Sequence, residues 1–429
     1  MSKPITAIIV GAGHRAMMYA SYALQNPDAL QIVGVADPIP GRCMRAAQLF
    51  GIDKNMIFSS AEELAEHPRL ADAIINGTMD RDHVPTAIPL LKKGYHMLLE
   101  KPFAIDHEEI QRLVETAHQY HSTLLVCHVL RYAPFYTEIK KRLAAGEIGD
   151  IINIQATEHV VYHHYNVSYL RGKWRNEQEC GAPMLLAKCC HDVDMILWLK
   201  GDVPCEKIAS FGSDFQFAPD KRPPEAGTRC LVDCSKEADC LYSARKLILD
   251  HPDRWQFYVW TDLEDEENPT LEQKEEKLKT TNQFGRCAWN CGHTVVDHQT
   301  VMMQFADGAT ASLNMIGGSS KSERNLHILG TKGEIKGVFD DSKFVVRRID
   351  PTDPKGYREE EVDLHIGGDK SGMTGSHGGG DLRLVEDFVK ILQGNTPSIS
   401  CTDIDDSIAS HLTVFAAEYA RKNDVVKNI

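Results

Sequence analysis

The sequence predicts an α/β protein that opens with a doubly wound parallel sheet, and three observations carry that prediction. Apolar, β-branched runs alternate with helix-spaced patterns through residues 5–129. The first run ends in a glycine-rich turn, Gly11-Ala12-Gly13-His14-Arg15-Ala16, and the second ends on Asp37. The chain, at 429 residues, also exceeds the ~250–300 that one core encloses, so at least two domains are expected, at residues 1–126 and 127–429.

The run at residues 5–10 is continuous and β-branched, as suits a strand covered on both faces by helices. The turn after it fits G-x-G-x-x-G/A. Gly11 allows the tight turn, Gly13 lets backbone approach a pyrophosphate, and Ala16 is small enough for close helix packing. A helix over 17–25 and a strand over 31–36 follow, and Asp37 then stands where an acid binds ribose hydroxyls. That acid disfavours a 2′-phosphate and points to NAD rather than NADP, while Arg42 nearby is a cation able to receive the extra phosphate.

Further strands are predicted over 73–78, 95–99 and 123–129, with helices over 84–93 and 108–121. In the last helix Ile110, Leu113, Val114 and Ala117 repeat on one face. Such sheets bind ligand beyond the carboxyl ends of their strands, and the 95–99 strand delivers Glu100-Lys101-Pro102 to that edge.

Composition narrows the partners. With 47 basic against 61 acidic residues the net charge is −14, which argues against nucleic acid or an anionic membrane. No apolar run approaches the ~20 residues of a membrane span and no signal-peptide core follows Met1, so a cytoplasmic protein with reduced cysteines is expected.

The 11–16 fingerprint, Asp37 and Glu100-Lys101-Pro102 together resemble the Gfo/Idh/MocA oxidoreductases, the group named after glucose-fructose oxidoreductase and inositol dehydrogenase. The resemblance implies an N-terminal Rossmann domain, a lysine at 101 that binds the reacting hydroxyl, and a bend at Pro102, often with a cis peptide bond. It further implies a C-terminal α+β domain whose open, mostly antiparallel sheet packs on another subunit, giving a homodimer or homotetramer.

The sequence can supply that sheet. Residues 151–161 are strand-like, 300–305 and 309–315 flank Asp307-Gly308 as a hairpin, and 326–329 with 334–338 flank another, which together suggest a meander. Residues 214–298 read as an insertion with an acidic run over 262–276, taken as a solvated surface segment. The insertion also holds Cys230, Cys234, Cys240, Cys287 and Cys291 beside His293. A structural zinc is one reading of these cysteines and buried apolar filler is the other, so the metal is left as unknown. Helices are predicted over 382–392 and 406–420, with Asp381 capping the first and His377 close enough to a glycine loop to reach a site.

The second chemical cluster is GAPMLLAKCCHDVD at 181–194, where a helix carrying Lys188, His191 and Asp194 or Asp192 at spacings of three to four places these side chains on nearby faces. By resemblance His191 is the catalytic histidine. The family's usual aspartate four places earlier is Ala187 here, with Lys188 adjacent. Trp174-Arg175 resembles the family's Trp-Arg pair that reaches the cofactor, Arg131 follows the sixth strand, and His163, His164 and Tyr165 end a strand of the second domain.

The expected catalytic groups are therefore Lys101 and His191, with Lys188 and Tyr165 as further candidates. The expected cofactor contacts are Gly11, Gly13, His14, Arg15, Asp37, Arg42, Thr78, His83, Glu100, Lys101, Arg131, Trp174 and Arg175. The implied reaction is NAD(H)-dependent hydride transfer between nicotinamide and a secondary hydroxyl of a sugar, cyclitol or glycoside. The alternative is an NAD-dependent glycosidase working by transient oxidation, elimination, hydration and re-reduction, which would draw on Tyr165, His164 and Lys188.

Overall fold

The computed structural model describes residues 3–264, 266, 268–364 and 377–429. Six parallel strands form the first sheet: β1 (Ile5–Val10), β2 (Leu30–Ala36), β3 (Ile57–Phe58), β4 (Ala73–Asn76), β5 (His96–Leu99) and β6 (Leu124–Val126). Their order is β3-β2-β1-β4-β5-β6, so the winding reverses between β1 and β4. Register decides what collects at that switch point. Val10 pairs with Ala36 and Asn76, and Asn76 pairs with Leu99, which brings Gly11, Asp37, Gly77 and Glu100 to one carboxyl edge.

The helix predicted over 17–25 begins earlier and is divided at Ser21 into His14–Ala20 and Tyr22–Gln25. The helix His107–Gln119 starts where Asp106 accepts the backbone N–H of Glu109, and buries Ile110, Leu113 and Ala117 as their spacing requires.

Among the described residues the second sheet has nine strands: β7 (Ile151–Val161), β8 (Cys205–Ser213), β9 (His298–Phe305), β10 (Thr310–Ser319), β11 (Glu323–Gly330), β12 (Gly333–Val338), β13 (Lys343–Ile349), β14 (Tyr357–Asp363) and β15 (Lys427–Asn428). Both expected hairpins are present, β9 with β10 and β11 with β12. The simple meander is not. The order β14-β13-β12-β11-β7-β10-β9-β8-β15 inserts β7 between β11 and β10, antiparallel to the first and parallel to the second. Strands β13 and β14 escaped the pattern reading because charge pairs rather than apolar side chains join their exposed positions, Arg347 with Glu359 and Arg348 with Glu360.

The end of the chain returns to the first sheet. Helix Gly380–Leu392 sends Leu384, Val385, Phe388 and Val389 into the same core as Ile9, Val35 and Leu98. Helix Ile404–Asn423 then bridges the two halves, with Ile404 packed in the β4–β6 side and Val414, Ala417 and Ala420 under the second sheet. Between β8 and β9 the described residues form short helices and turns. No helix among the described residues is long and apolar enough to cross a membrane.

Candidate active site

A cavity of about 300 Å³ lies between the carboxyl edge of the first sheet, the second sheet's inner elements and the insertion. The glycine turn forms one wall. Gly11 has a φ of +75°, and a Cβ there would sit 2.8 Å from the Thr78 nitrogen. Gly77 explains Ala16: a Cβ on Gly77 would come within 2.8 Å of the Ala16 Cβ, so two small residues let the first helix approach β4. A Cβ on Gly13 meets nothing within 4 Å, because that backbone faces the cavity. This open cradle is the feature a pyrophosphate requires, with Gly13, His14 and Arg15 to hold it.

Beyond β5, Glu100 is buried and takes bonds from Arg15 Nε at 2.8 Å, the Tyr19 hydroxyl at 2.7 Å and the Lys101 backbone N–H at 2.7 Å. Burial alone would raise its pKa, yet the charges of Arg15 and Lys101 outweigh burial and hold the carboxyl below its ordinary range. Lys101 precedes a cis Lys101–Pro102 bond and donates from Nζ to the Ala187 carbonyl at 2.9 Å. Burial pushes this ammonium down, while the Cys190 sulfur and the Glu100 and Asp80 carboxylates push it up, and the net position is above the ordinary lysine value. Lys101 is therefore charged. The Ala187 backbone oxygen, not a side chain, receives it at the place where the family pattern has an aspartate.

The 181–194 stretch is two helices rather than one, Met184–Ala187 and Cys190–Lys200, with Lys188 and Cys189 at the break. The break separates the expected shared face. Lys188 lines the cavity but is held by Glu158 at 3.0 Å, in a buried cluster where Arg324 Nε meets Glu158 at 2.7 Å and Asp192 at 2.8 Å. His191 also lines the cavity and is 5% exposed. Burial, followed by the positive charge of Lys101, pushes it well below the usual histidine value, so the ring is neutral. Its Nδ1 has no hydrogen-bond partner among the described residues. A neutral, unsatisfied imidazole beside a charged lysine is a proton acceptor in search of a donor.

Of the other expected residues, Thr78, His83, Arg42 and Trp174 line the cavity. His83 ties the Pro102 carbonyl at 2.7 Å to the Thr78 carbonyl at 3.1 Å, and Trp174 Nε1 donates to Asp80 at 2.9 Å. Four do not reach the site. Tyr165 is fully buried, its hydroxyl donating to the Val296 carbonyl at 3.1 Å. Arg131 is spent on a two-pronged bond to Asp194 at 2.8 and 2.6 Å. Arg175 bonds Glu179 at 2.6 Å, and Asp37 turns both oxygens to backbone N–H groups of Ala12 and Ile39 at 2.7 and 2.8 Å. Asp381 does not cap its helix; its carboxylate binds Arg15, and His377 at 3.0 Å, and His377 lines the cavity.

The sequence reading missed the insertion's part in the site. Trp255, Phe257, Tyr258 and Thr261 line the cavity, with Phe257 stacked on His14 at 5.0 Å and Trp255 stacked on His164 at 4.4 Å. Aromatic residues clustered at 255–260 were the available signal. All twelve cysteines are free of disulfides, and no group of three or more metal-binding side chains occurs among the described residues.

A parallel sheet with an open glycine cradle, a charged lysine at the end of β5 and a neutral histidine on helix Cys190–Lys200 lining the same cavity define a dinucleotide-dependent oxidoreductase site. The family models agree. Residues 5–128 match the oxidoreductase family's NAD-binding Rossmann fold and residues 140–424 its C-terminal alpha/beta domain, so the chain belongs to the Gfo/Idh/MocA oxidoreductase family and binds NAD. Bacillus subtilis YteT, a protein named as an oxidoreductase, is 23% identical over 83% of this chain and 82% of its own. The scyllo-inositol 2-dehydrogenase (NAD(+)) of Bacillus subtilis is 28% identical over 35% of this chain and 43% of its own. Among solved structures, an oxidoreductase domain protein from Kribbella flavida has a TM-score of 0.71 at 16% identity over the whole of both chains. The WlbA dehydrogenase of Bordetella pertussis, solved with NADH and UDP-GlcNAcA, has a TM-score of 0.67 at 18% identity over 100% of this chain and 99% of its own. At these identities the likeness is one of fold.

Two outcomes follow from the geometry. A Cβ at Gly13 points into the open cradle, so Gly13→Val blocks it: NAD binding followed by fluorescence titration is lost while the melting temperature stays close to that of the parent. Stability, in turn, depends on pH through buried histidine. Burial pushes His128 down to about 4 against a partial upward pull from Asp194, so the folded ring stays neutral where an unfolded one, near 6.5, takes a proton. The unfolded state binds more protons between these values, so this contribution is complete above about 6.5 and is lost as pH falls toward 4. Melting temperatures across that range decline; a flat profile contradicts the assignment.

Proposed function

We propose that the chain is an NAD-dependent dehydrogenase of a secondary hydroxyl on a sugar or cyclitol. The observation that carries this reading is the pair of groups lining one cavity, charged Lys101 at the end of β5 and neutral His191 on helix Cys190–Lys200. NAD, when bound along Gly13, His14 and Arg15, supplies the hydride acceptor. The protein's residues handle the proton and the charge. Lys101 Nζ orients the hydroxyl and stabilises the negative charge that grows on its oxygen, and His191 accepts the proton. Glu100 keeps Lys101 charged, and the Arg15 and Tyr19 bonds fix Glu100. Burial and the positive charge of Lys101 leave His191 a weak base, so the proton transfer depends on the ammonium of Lys101 making the hydroxyl more acidic.

The rest of the cavity suits a small polyhydroxylated ring. Tyr169, Trp174, Trp255 and Tyr258 supply aromatic faces, and the buried charges of Lys188, Arg324, Glu158 and Asp192 balance one another. The glycosidase alternative finds no support, and Tyr165, one of the groups it would draw on, is in the core.

The test is NADH absorbance with a panel of free sugars and cyclitols. At least one substrate gives NADH in proportion to product, and Lys101→Ala and His191→Ala each reduce kcat roughly 10²–10⁴-fold with NAD affinity within a few-fold. A His191→Ala enzyme of near-normal rate moves the base elsewhere. We also infer that two copies pair through the second sheet, whose outer face exposes Phe211, Met302 and Ile316 at 62%, 49% and 44%. Light scattering on the eluted protein then gives a dimer or tetramer mass, and Met302→Lys lowers it; a monomer in the parent protein refutes the pairing.

A further inference from the structure

The insertion reaches the cofactor edge at a point where charge sets the choice between two dinucleotides. Arg42 and Arg45 stand one turn apart on helix Pro40–Phe50, directly after β2. An arginine at this place in a dinucleotide fold accommodates a 2′-phosphate, and two of them left open would make an anion site. They are not left open. Arg42 Nε and Nη2 each donate to Glu264 at 2.9 Å in a two-pronged bond, and Arg45 Nη2 donates to the same carboxylate at 3.1 Å. Arg45 Nη1 also reaches the Glu264 backbone carbonyl at 3.2 Å.

Glu264 is held there from several directions. Its side chain is 18% exposed, and Phe257, seven residues earlier on the same insertion, stacks on His14 of the glycine turn. Burial pushes the Glu264 carboxyl up, but the bonds and charges of Arg42 and Arg45 outweigh burial and keep it ionised. Asp37, the acid that normally contacts the ribose from the strand end, is 3% exposed and committed to the Ala12 and Ile39 N–H groups. Arg42 borders both the central cavity and the adjoining groove that Glu264 lines.

We propose that Glu264, carried by the insertion rather than by the Rossmann domain, is the residue that excludes a 2′-phosphate and fixes the preference for NAD over NADP. It does so twice over. It occupies the two guanidinium groups that would otherwise bind the phosphate, and it meets the phosphate's roughly −1.5 to −2 charge with a carboxylate. An uncharged ribose hydroxyl suffers neither penalty. The proposal rests on NAD binding by the first domain and not on the substrate reading, and direct binding measurements keep the two separable.

The experiment is fluorescence titration of NAD and NADP against the full chain and three variants, each checked for folding by its melting curve. The parent binds NADP at least about tenfold more weakly than NAD. Glu264→Ala tightens NADP about tenfold or more, with NAD changed less than about threefold, and Glu264→Gln shifts NADP in the same direction. Adding Arg42→Ala to Glu264→Ala removes the gain, because the cation that received the phosphate is gone. If Glu264→Ala does not fold, the isosteric Glu264→Gln decides the matter. Unchanged NADP affinity in the Glu264 variants, or NAD weakened as much as NADP, overturns the proposal, as does a parent protein that binds both equally.

Discussion

The structure depends on one buried carboxylate. Glu100 sits at the end of β5 with 5% of its surface exposed and would be unstable there as a lone charge. Arg15 and Tyr19 reach it from the first helix, and the Lys101 N–H reaches it from the next residue. Arg15 continues to Asp381, and Asp381 to His377, so the same chain of charges fixes the helix that returns from the far end of the sequence. Each member is paired, which is the condition under which buried charge is tolerated. The result is a strand end that presents a charged lysine in a fixed place.

That lysine is then held from the other half of the molecule. The Lys101 bond to the Ala187 carbonyl crosses from the first domain to the break between two helices of the second, and Trp174 with Asp80 makes a parallel crossing. The helix break is functional geometry: a continuous helix through 184–200 would have its Ala187 carbonyl engaged in its own ladder. At this position the lysine's partner is a backbone carbonyl. The neighbouring Lys188 finds a partner in Glu158, inside a cluster closed by Arg324 and Asp192.

The insertion adds a third wall. Its aromatic residues at 255, 257 and 258 cover the glycine turn and the cavity mouth, and its Glu264 joins the first domain at Arg42 and Arg45. A segment whose acidic composition reads as solvated surface thus contacts the cofactor edge. Composition records how many charges a segment carries, not what faces them.

The sequence by itself determined the parallel sheet, the glycine turn, the position of Lys101 and the candidacy of His191. The sheet and the turn depend on local period and on residue types fixed by near neighbours, since Gly11 needs a positive φ and Ala16 must be small against Gly77, whereas the candidacy of His191 came from the family resemblance. Only the tertiary structure decided which polar residues reach the site. Asp37, Arg131, Arg175 and Tyr165 carry the right chemistry but find partners elsewhere, in backbone N–H groups, Asp194, Glu179 and the Val296 carbonyl. Phe257 and Arg324 come to it, and Glu264 to the adjoining groove, from distant stretches, because pairing across 132 residues (Arg324 with Asp192) or 222 (Arg42 with Glu264) leaves no local pattern to read. The insertion of β7 between β11 and β10 has the same cause: strand order is set by long-range hydrogen bonding, and no spacing within a strand encodes its neighbour.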